Sequence, residues 1–209
     1  MPKFLVRVPI GTAPPSGIDR QPGVTGWIID EIRGDQALLE LQGLTPPSPP
    51  WSALHWIFCR DGTEPELAAG LTAMALEHHV GWDYERSWPD GAPTPGIKQV
   101  SFLHKGRGVS DDDFRRRYRA HVGEARRHMP GLWKYVQNLV DPLPSDRAEL
   151  FGVSELWFES VDDFRDRYWA RPESKVEEHA EVSTFLSSRT WSMIAHEVIQ
   201  PCGSARAAP

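Results

Sequence analysis

The chemistry this sequence can offer is concentrated on residues 110–128. There Phe114, Tyr118, His121, Ala125 and His128 recur at spacings of 4, 3, 4 and 3, which places them on one face of an α-helix. Tyr118 and His121 are one turn apart, so their side chains are neighbours. A neutral imidazole at the edge of an apolar pocket can accept a proton near neutral pH. A phenol beside it can donate to a developing enolate oxygen or orient the ring. From these residues alone two readings stand together. One is a general base with its helper. The other is a core histidine bonded to a backbone carbonyl, beside a tyrosine that packs.

Further candidates lie on apolar segments that read as strands. Tyr135 and Asn138 fall within residues 132–139. Three positions apart on a strand, they point to opposite faces, so at most one lines a given pocket. Tyr135 is the choice, because it shares its face with Trp133. His104 ends a strand at 97–104, and His196 lies on the last strand, 191–199. Trp157 lies on the strand at 152–159. The nine tryptophans can fill a core or line a pocket for a flat apolar ligand. His128, and the pair His78–His79, are expected at helix C-termini, where a cation offsets the helix dipole.

Other chemistries are set aside. The sequence contains no G-x-S-x-G, H-E-x-x-H, P-loop or G-x-G-x-x-G motif, and no spacing of Asp, Glu and His defines a metal cage. Its two cysteines, Cys59 and Cys202, lack metal spacing. A formal charge of −6 argues against a nucleic-acid partner. The arginines of 115–119 and 126–127 read as a solvated helix face. With no apolar run of membrane length and few cysteines, a cytoplasmic protein without a membrane partner is expected.

These side chains need elements to position them. Short apolar strands are expected at 3–8, 24–32 and 52–60. Thr63 and Glu66, with Pro65 in the first turn, predict a capped helix carrying Leu67, Leu71, Met74 and His78. A strand follows at 81–88. Residues 89–96 (PDGAPTPG) have linker composition, which divides the chain into domains at 1–90 and 96–200. The second half reads strand 97–104, helix 110–128, strand 132–139, strand 152–159, helices from 160 and 172, and strand 191–199. That is the split βαβ order of a ferredoxin-like unit. The first half reads as the same unit with its first helix replaced by the loop at 9–23.

Three stretches now carry a resemblance: KQVSFLHKGRGVSDDDFRRRYRAH (98–121), PGLWKYVQN (130–138) and ELWFESVDDF (155–164). In this order and at these distances they resemble the EthD family, over roughly residues 97–199. That family is similar to the larger group of dimeric α/β barrels. The resemblance implies an α+β fold of tandem ferredoxin-like units in a barrel-type arrangement, with the N-terminal unit degenerate. It also implies a homodimer or an intrachain pseudo-dimer. His121 matches the family's helix histidine, which raises the base reading to parity with the structural one. The expected activity is a cofactor-independent acid–base reaction, cyclisation or dehydration, on a hydrophobic polyketide-type small molecule. His121 would be the base, with Tyr118 and Tyr135 as catalytic partners. Trp133, Trp157, Asn138, His104 and His196 would contact substrate. Two alternatives remain open at this point. One is an oxygenase, either cofactor-free or with haem on His121 or His196. The other is a non-catalytic binding protein.

Overall fold

The structure, a computed structural model, describes residues 1–146 and 149–202. Its strands are β1 (Lys3–Pro9), β2 (Val24–Glu31), β3 (Trp51–Cys59), β4 (Ala73–Trp82), β5 (Ile97–Leu103), β6 (Leu132–Val140), β7 (Gly152–Phe158) and β8 (Trp191–Gln200). The helices are α1 (Asp111–His128), α2 (Val161–Asp166) and α3 (Pro172–Val182), all in the second half.

The expected pair of α+β ferredoxin-like units meeting sheet to sheet is corrected here. The eight strands form one closed antiparallel barrel in the order β1-β3-β2-β8-β5-β7-β6-β4. β2 pairs with β8, and β4 with β6. Hydrogen bonds therefore cross both junctions between the halves, and no sheet edge is left over for a facing sheet. Strand predominates, and among the described residues the first half holds no α-helix.

The helix expected from Thr63 is also absent. Gly70 has φ +88°, a left-handed conformation that ends any helix there. From Ala73 the chain alternates instead of turning. Met74, Leu76 and His78, spaced by two, belong to β4, which pairs with β1 and β6. The expected strand at 81–88 is only the end of β4, and His78 and His79 are strand residues rather than helix termini. The segment 89–96 is mostly exposed but is not a free linker. Gly91 N–H donates to the Ile199 carbonyl (2.7 Å) and Thr94 N–H to the Glu197 carbonyl (2.8 Å).

The core lies inside the barrel, where Leu5, Leu54, Trp56, Val100, Phe102 and Met193 pack together. A charged cluster shares that interior. Lys98 Nζ lies 2.7 Å from Asp30 Oδ2, 2.7 Å from Glu155 Oε2 and 3.3 Å from Glu197 Oε2. Lys3 pairs with Glu155. Burial pulls the Lys98 ammonium down, but the three carboxylates outweigh it, and its pKa stands above the ordinary lysine value. Burial likewise pushes Glu155 up, yet Lys3 and Lys98 together hold it at about 2. Three acids share two cations, and Asp30 is the acid left short. Burial raises it to about 6 against the pull of Lys98.

The outer face of β5–β8 is covered by helices. α1 begins at Ser110, whose hydroxyl accepts from Asp113 N–H at 3.1 Å. Asp111–Asp113 fill its first turn and Arg126–His128 its last, in the sense that suits the helix dipole. The face it buries is Phe114, Tyr118, His121, Ala125 and His128. A 3-10 segment, Gln36–Gln42, crosses from the first half to join this layer. The Gln36 side chain exchanges two 2.8 Å hydrogen bonds with the Ile194 backbone. Gln42 Nε2 donates to the Phe164 carbonyl at 2.5 Å.

Candidate active site

Between this helical layer and the outer face of the sheet lies a cavity of about 570 Å³, a size suited to a small molecule. Its floor is the outward face of β5, β7 and β8, with Tyr135 from β6. Its walls come from α1, α3, the segment after α3 and residues 42–45. Leu156, Met129, Leu44 and Trp169 make one part of the lining apolar.

α1 carries His121 and Tyr118 into this space. His121 is 6% exposed. Its Nδ1 lies 2.8 Å from Glu181 Oε2. A carboxylate can only accept, so Nδ1 carries the hydrogen and Nε2 is the basic nitrogen. Nε2 lies 3.7 Å from Glu178 Oε1, too far for a direct hydrogen bond. Burial holds the Glu178 carboxyl above its ordinary value, with His121 opposing. Two carboxyl groups of α3 therefore flank the ring and would stabilise an imidazolium formed by proton uptake.

The hydroxyl groups lie on the floor. Tyr118 Oη is 2.9 Å from Ser154 Oγ, and Tyr135 Oη is 3.5 Å from the same atom. Burial pushes Tyr135 up to about 12 and Tyr118 well above the usual phenol range. Both therefore stay protonated and act as hydrogen-bond donors. The Tyr135 ring meets His121 edge-on, with centroids 6.3 Å apart. Gly152 permits the close approach of the Asn138 backbone on β6, with the Tyr118 ring in ordinary contact. A Cβ there would lie 2.8 Å from the Asn138 carbonyl oxygen and 3.4 Å from the Tyr118 ring.

The structure brings His121, Tyr118 and Tyr135 to one cavity. It places the other five expected residues elsewhere. Trp157 points into the barrel, where its indole N–H donates to Glu197 Oε2 at 3.0 Å. Asn138 also points inward, donating to Glu155 Oε1 at 2.8 Å. Trp133 falls in a break of register between Leu132 and Lys134. It stacks on Tyr84 outside the cavity (4.1 Å between centroids), so the face it was expected to share with Tyr135 does not exist. His104 is bonded to the Glu149 carbonyl (2.9 Å). His196 Nε2 bonds Asp35 Oδ2 (2.5 Å). Of the two histidines named as haem ligands, His196 lies outside the cavity with its Nε2 bonded to Asp35.

Sequence reasoning missed Glu178 and Glu181, because they sit among acids that look like solvated helix surface. It also missed Gln99, Ser101, Ser154 and Ser192. Only Gln99 and Ser101 carried a local signal, two polar residues at alternate positions of one strand.

The same architecture occurs in an anthrone oxidase-like protein. Its crystal structure matches with a TM-score of 0.58 at 11% identity, covering 100% of this chain and 96% of that one. A candidate monooxygenase from Fusobacterium nucleatum matches less closely, with a TM-score of 0.48 at 7% identity over 95% of this chain and 92% of the other. At such identities the first likeness establishes a shared fold and nothing finer. No protein-family model matches the sequence, and no curated protein matches it. Among the described residues no helix is long and apolar enough to cross a membrane, and no group of three or more His, Cys, Asp or Glu is placed to hold a metal ion.

Proposed function

We propose that this chain is a cofactor-independent oxygenase acting on a hydrophobic aromatic ketone of the anthrone type, with an EthD-like second half. The observation that carries the reading is the His121–Glu181 pair on one wall of a largely apolar cavity. It stands near the hydroxyls of Tyr118, Tyr135 and Ser154 on the floor. A base and oxyanion donors, arranged around one space, suit proton abstraction next to a carbonyl. That step is common to cyclisation, dehydration and oxygenation. The choice of oxygen as reaction partner draws on the anthrone oxidase-like protein that shares the fold.

The steps balance without a further reagent. His121 Nε2 takes a proton from the CH₂ that stands across the ring from the carbonyl, and the electron pair moves through the flanking aryl rings onto the carbonyl oxygen. A hydroxyl of the floor donates to that enolate oxygen. The enolate passes one electron to O₂, and the radical pair combines to form a C–O bond. The imidazolium returns its proton to give the hydroperoxide. Loss of the second C–H proton breaks the O–O bond and expels water, leaving a new carbonyl. In sum, CH₂ and O₂ become C=O and H₂O.

The test is to add anthrone to the purified protein and follow O₂ uptake together with quinone absorbance, in air and under argon. Enzyme-dependent uptake of one O₂ per quinone is expected. Oxygen uptake no faster than in buffer, or release of water that continues under argon, would reject an oxygenase of this kind.

A further inference from the structure

Beyond the residues assigned to proton transfer, the floor of the cavity carries a second polar feature. Ser192, Ser101, Ser154 and Gln137 are in register across β8, β5, β7 and β6. Ser101 is the Cα partner of both Ser192 and Ser154, and Ser154 is the partner of Gln137. Residues so paired project to the same face. The three serines line the cavity. A row of hydroxyls in a helix-covered floor requires an account of its hydrogens.

Counting those hydrogens gives two surpluses. Ser101 Oγ and Ser192 Oγ are 2.8 Å apart, and Gln99 Nε2 donates to both, at 3.1 and 3.3 Å. Gln99 is itself fixed, because Tyr168 O–H donates to its Oε1 at 3.1 Å. The two serines hold two hydroxyl hydrogens and share one contact, so one hydrogen is left to point elsewhere. One strand along, Ser154, Tyr118 and Tyr135 hold three hydroxyl hydrogens and share two contacts. Gln137 Nε2 adds a further donor to Tyr135 Oη at 3.3 Å, and one hydroxyl hydrogen is again left over. In each cluster one hydroxyl hydrogen is thus left without a contact among the described residues, and beside the second the Gln137 Oε1 is also without a partner.

We infer that the floor is a two-point acceptor site. It takes a flat ligand that carries two carbonyl or phenolic oxygens. Ser154 with its two tyrosines receives one oxygen, and the Gln99-held pair Ser101–Ser192 receives the other. The inference rests on the proposed function in assigning the first oxygen to the reacting carbonyl, and it adds the second oxygen as the feature that selects the substrate. A ligand that lacks the second oxygen covers one of these donors without meeting it, so it is discriminated against.

The experiment is calorimetric titration under argon, which reads binding without turnover. The ligands are 1,3-dihydroxynaphthalene and 1-naphthol. The native protein should bind the dihydroxy compound about fivefold to tenfold more tightly, the scale of one hydrogen bond. In the Ser101→Ala/Ser192→Ala variant that ratio should fall to within twofold of unity. Ser101→Ala/Ser192→Cys, whose single thiol is only a weak donor, gives the same readout should the double alanine variant fail to fold. An unchanged ratio in a folded variant overturns the inference. So does equal affinity of the native protein for the two naphthols, or saturable binding of neither. Discrimination by the native protein that is lost in the variant, without O₂ uptake on anthrone or on hydroxyanthrones that carry the second oxygen, upholds the two-point site and rejects the oxygenase reading alone.

Discussion

Replacing Lys98 by Met tests whether the charged interior holds the barrel closed. The ammonium is 1% exposed and lies within 3.3 Å of carboxylates from β2, β7 and β8, while Lys98 itself belongs to β5. It also sits over the rings of Trp157 (4.3 Å) and Trp56 (5.0 Å). Methionine fills a similar volume but leaves Asp30 and Glu197 without their cation; Glu155 keeps Lys3. Breaking a buried ion pair from one side costs about 3–5 kcal/mol, a large part of the total stability of a domain. The pH dependence has a definite sign. Without Lys98 the folded-state pKa of Asp30 rises further above its unfolded value. A carboxyl raised in this way adds stability at low pH and loses it as pH rises through its folded pKa. The deficit of Lys98→Met should therefore be smaller at pH 5 than at pH 7.5. Urea unfolding followed by tryptophan fluorescence at the two pH values measures it. A loss below about 1 kcal/mol, the scale of a surface ion pair, would refute the argument, as would a deficit that grows on acidification.

Other outcomes follow from the same contacts. Asp30→Asn removes a group raised to about 6, whose contribution favours folding below the unfolded value and is lost as pH rises through 6. The stability of the native protein relative to this variant should thus be higher at pH 5 than at pH 7, read from unfolding midpoints. His121→Ala should lower O₂ uptake on anthrone by roughly 10²–10⁴-fold with the fold retained by circular dichroism, and Tyr118→Phe should cost less, since Tyr135 and Ser154 still donate. Activity of His121→Ala at the native level would make it a core residue. Glu181→Gln keeps an acceptor for Nδ1–H but removes the charge that offsets an imidazolium, so kcat should fall by roughly tenfold while KM stays within about twofold.

The helical face of α1 was legible because it needed only local information. The spacing of Phe114, Tyr118, His121, Ala125 and His128 and the Ser110 cap are set within one segment. The strands other than β4 were legible for the same reason, but how they close was not. Asp30, Lys98, Glu155 and Glu197 look like ordinary surface charges in a linear reading. They become an interior cluster only when β2, β5, β7 and β8 are brought side by side. The error at residues 63–79 has a related cause. Leu67, Leu71, Met74 and His78 fit a helical period, while Met74, Leu76 and His78 fit a strand period equally well. Pairing of β4 with β1 and β6 decides between them, and that information lies outside the segment.

The site was half legible, and the division falls between side chains that the helix positions and side chains that the sheet positions. His121 and Tyr118 need only the helix. Trp133 and Tyr135 were put on one face by strict alternation, and a single break of register at β6 separated them. One extra residue in a strand reverses every facing beyond it, so no inference by alternation survives an unseen bulge. The serines show the converse. Ser101, Ser154 and Ser192 lie far apart in sequence, and each is unremarked within its own strand. Their meaning lies in register, because only the pairing of β8, β5 and β7 sets three hydroxyls in a row under the cavity. A chemical group whose partner lies on the same helix can be found by counting residues. One whose partner lies across a barrel can be found only by knowing which strands are neighbours, and here the second kind supplies the oxygen-binding floor.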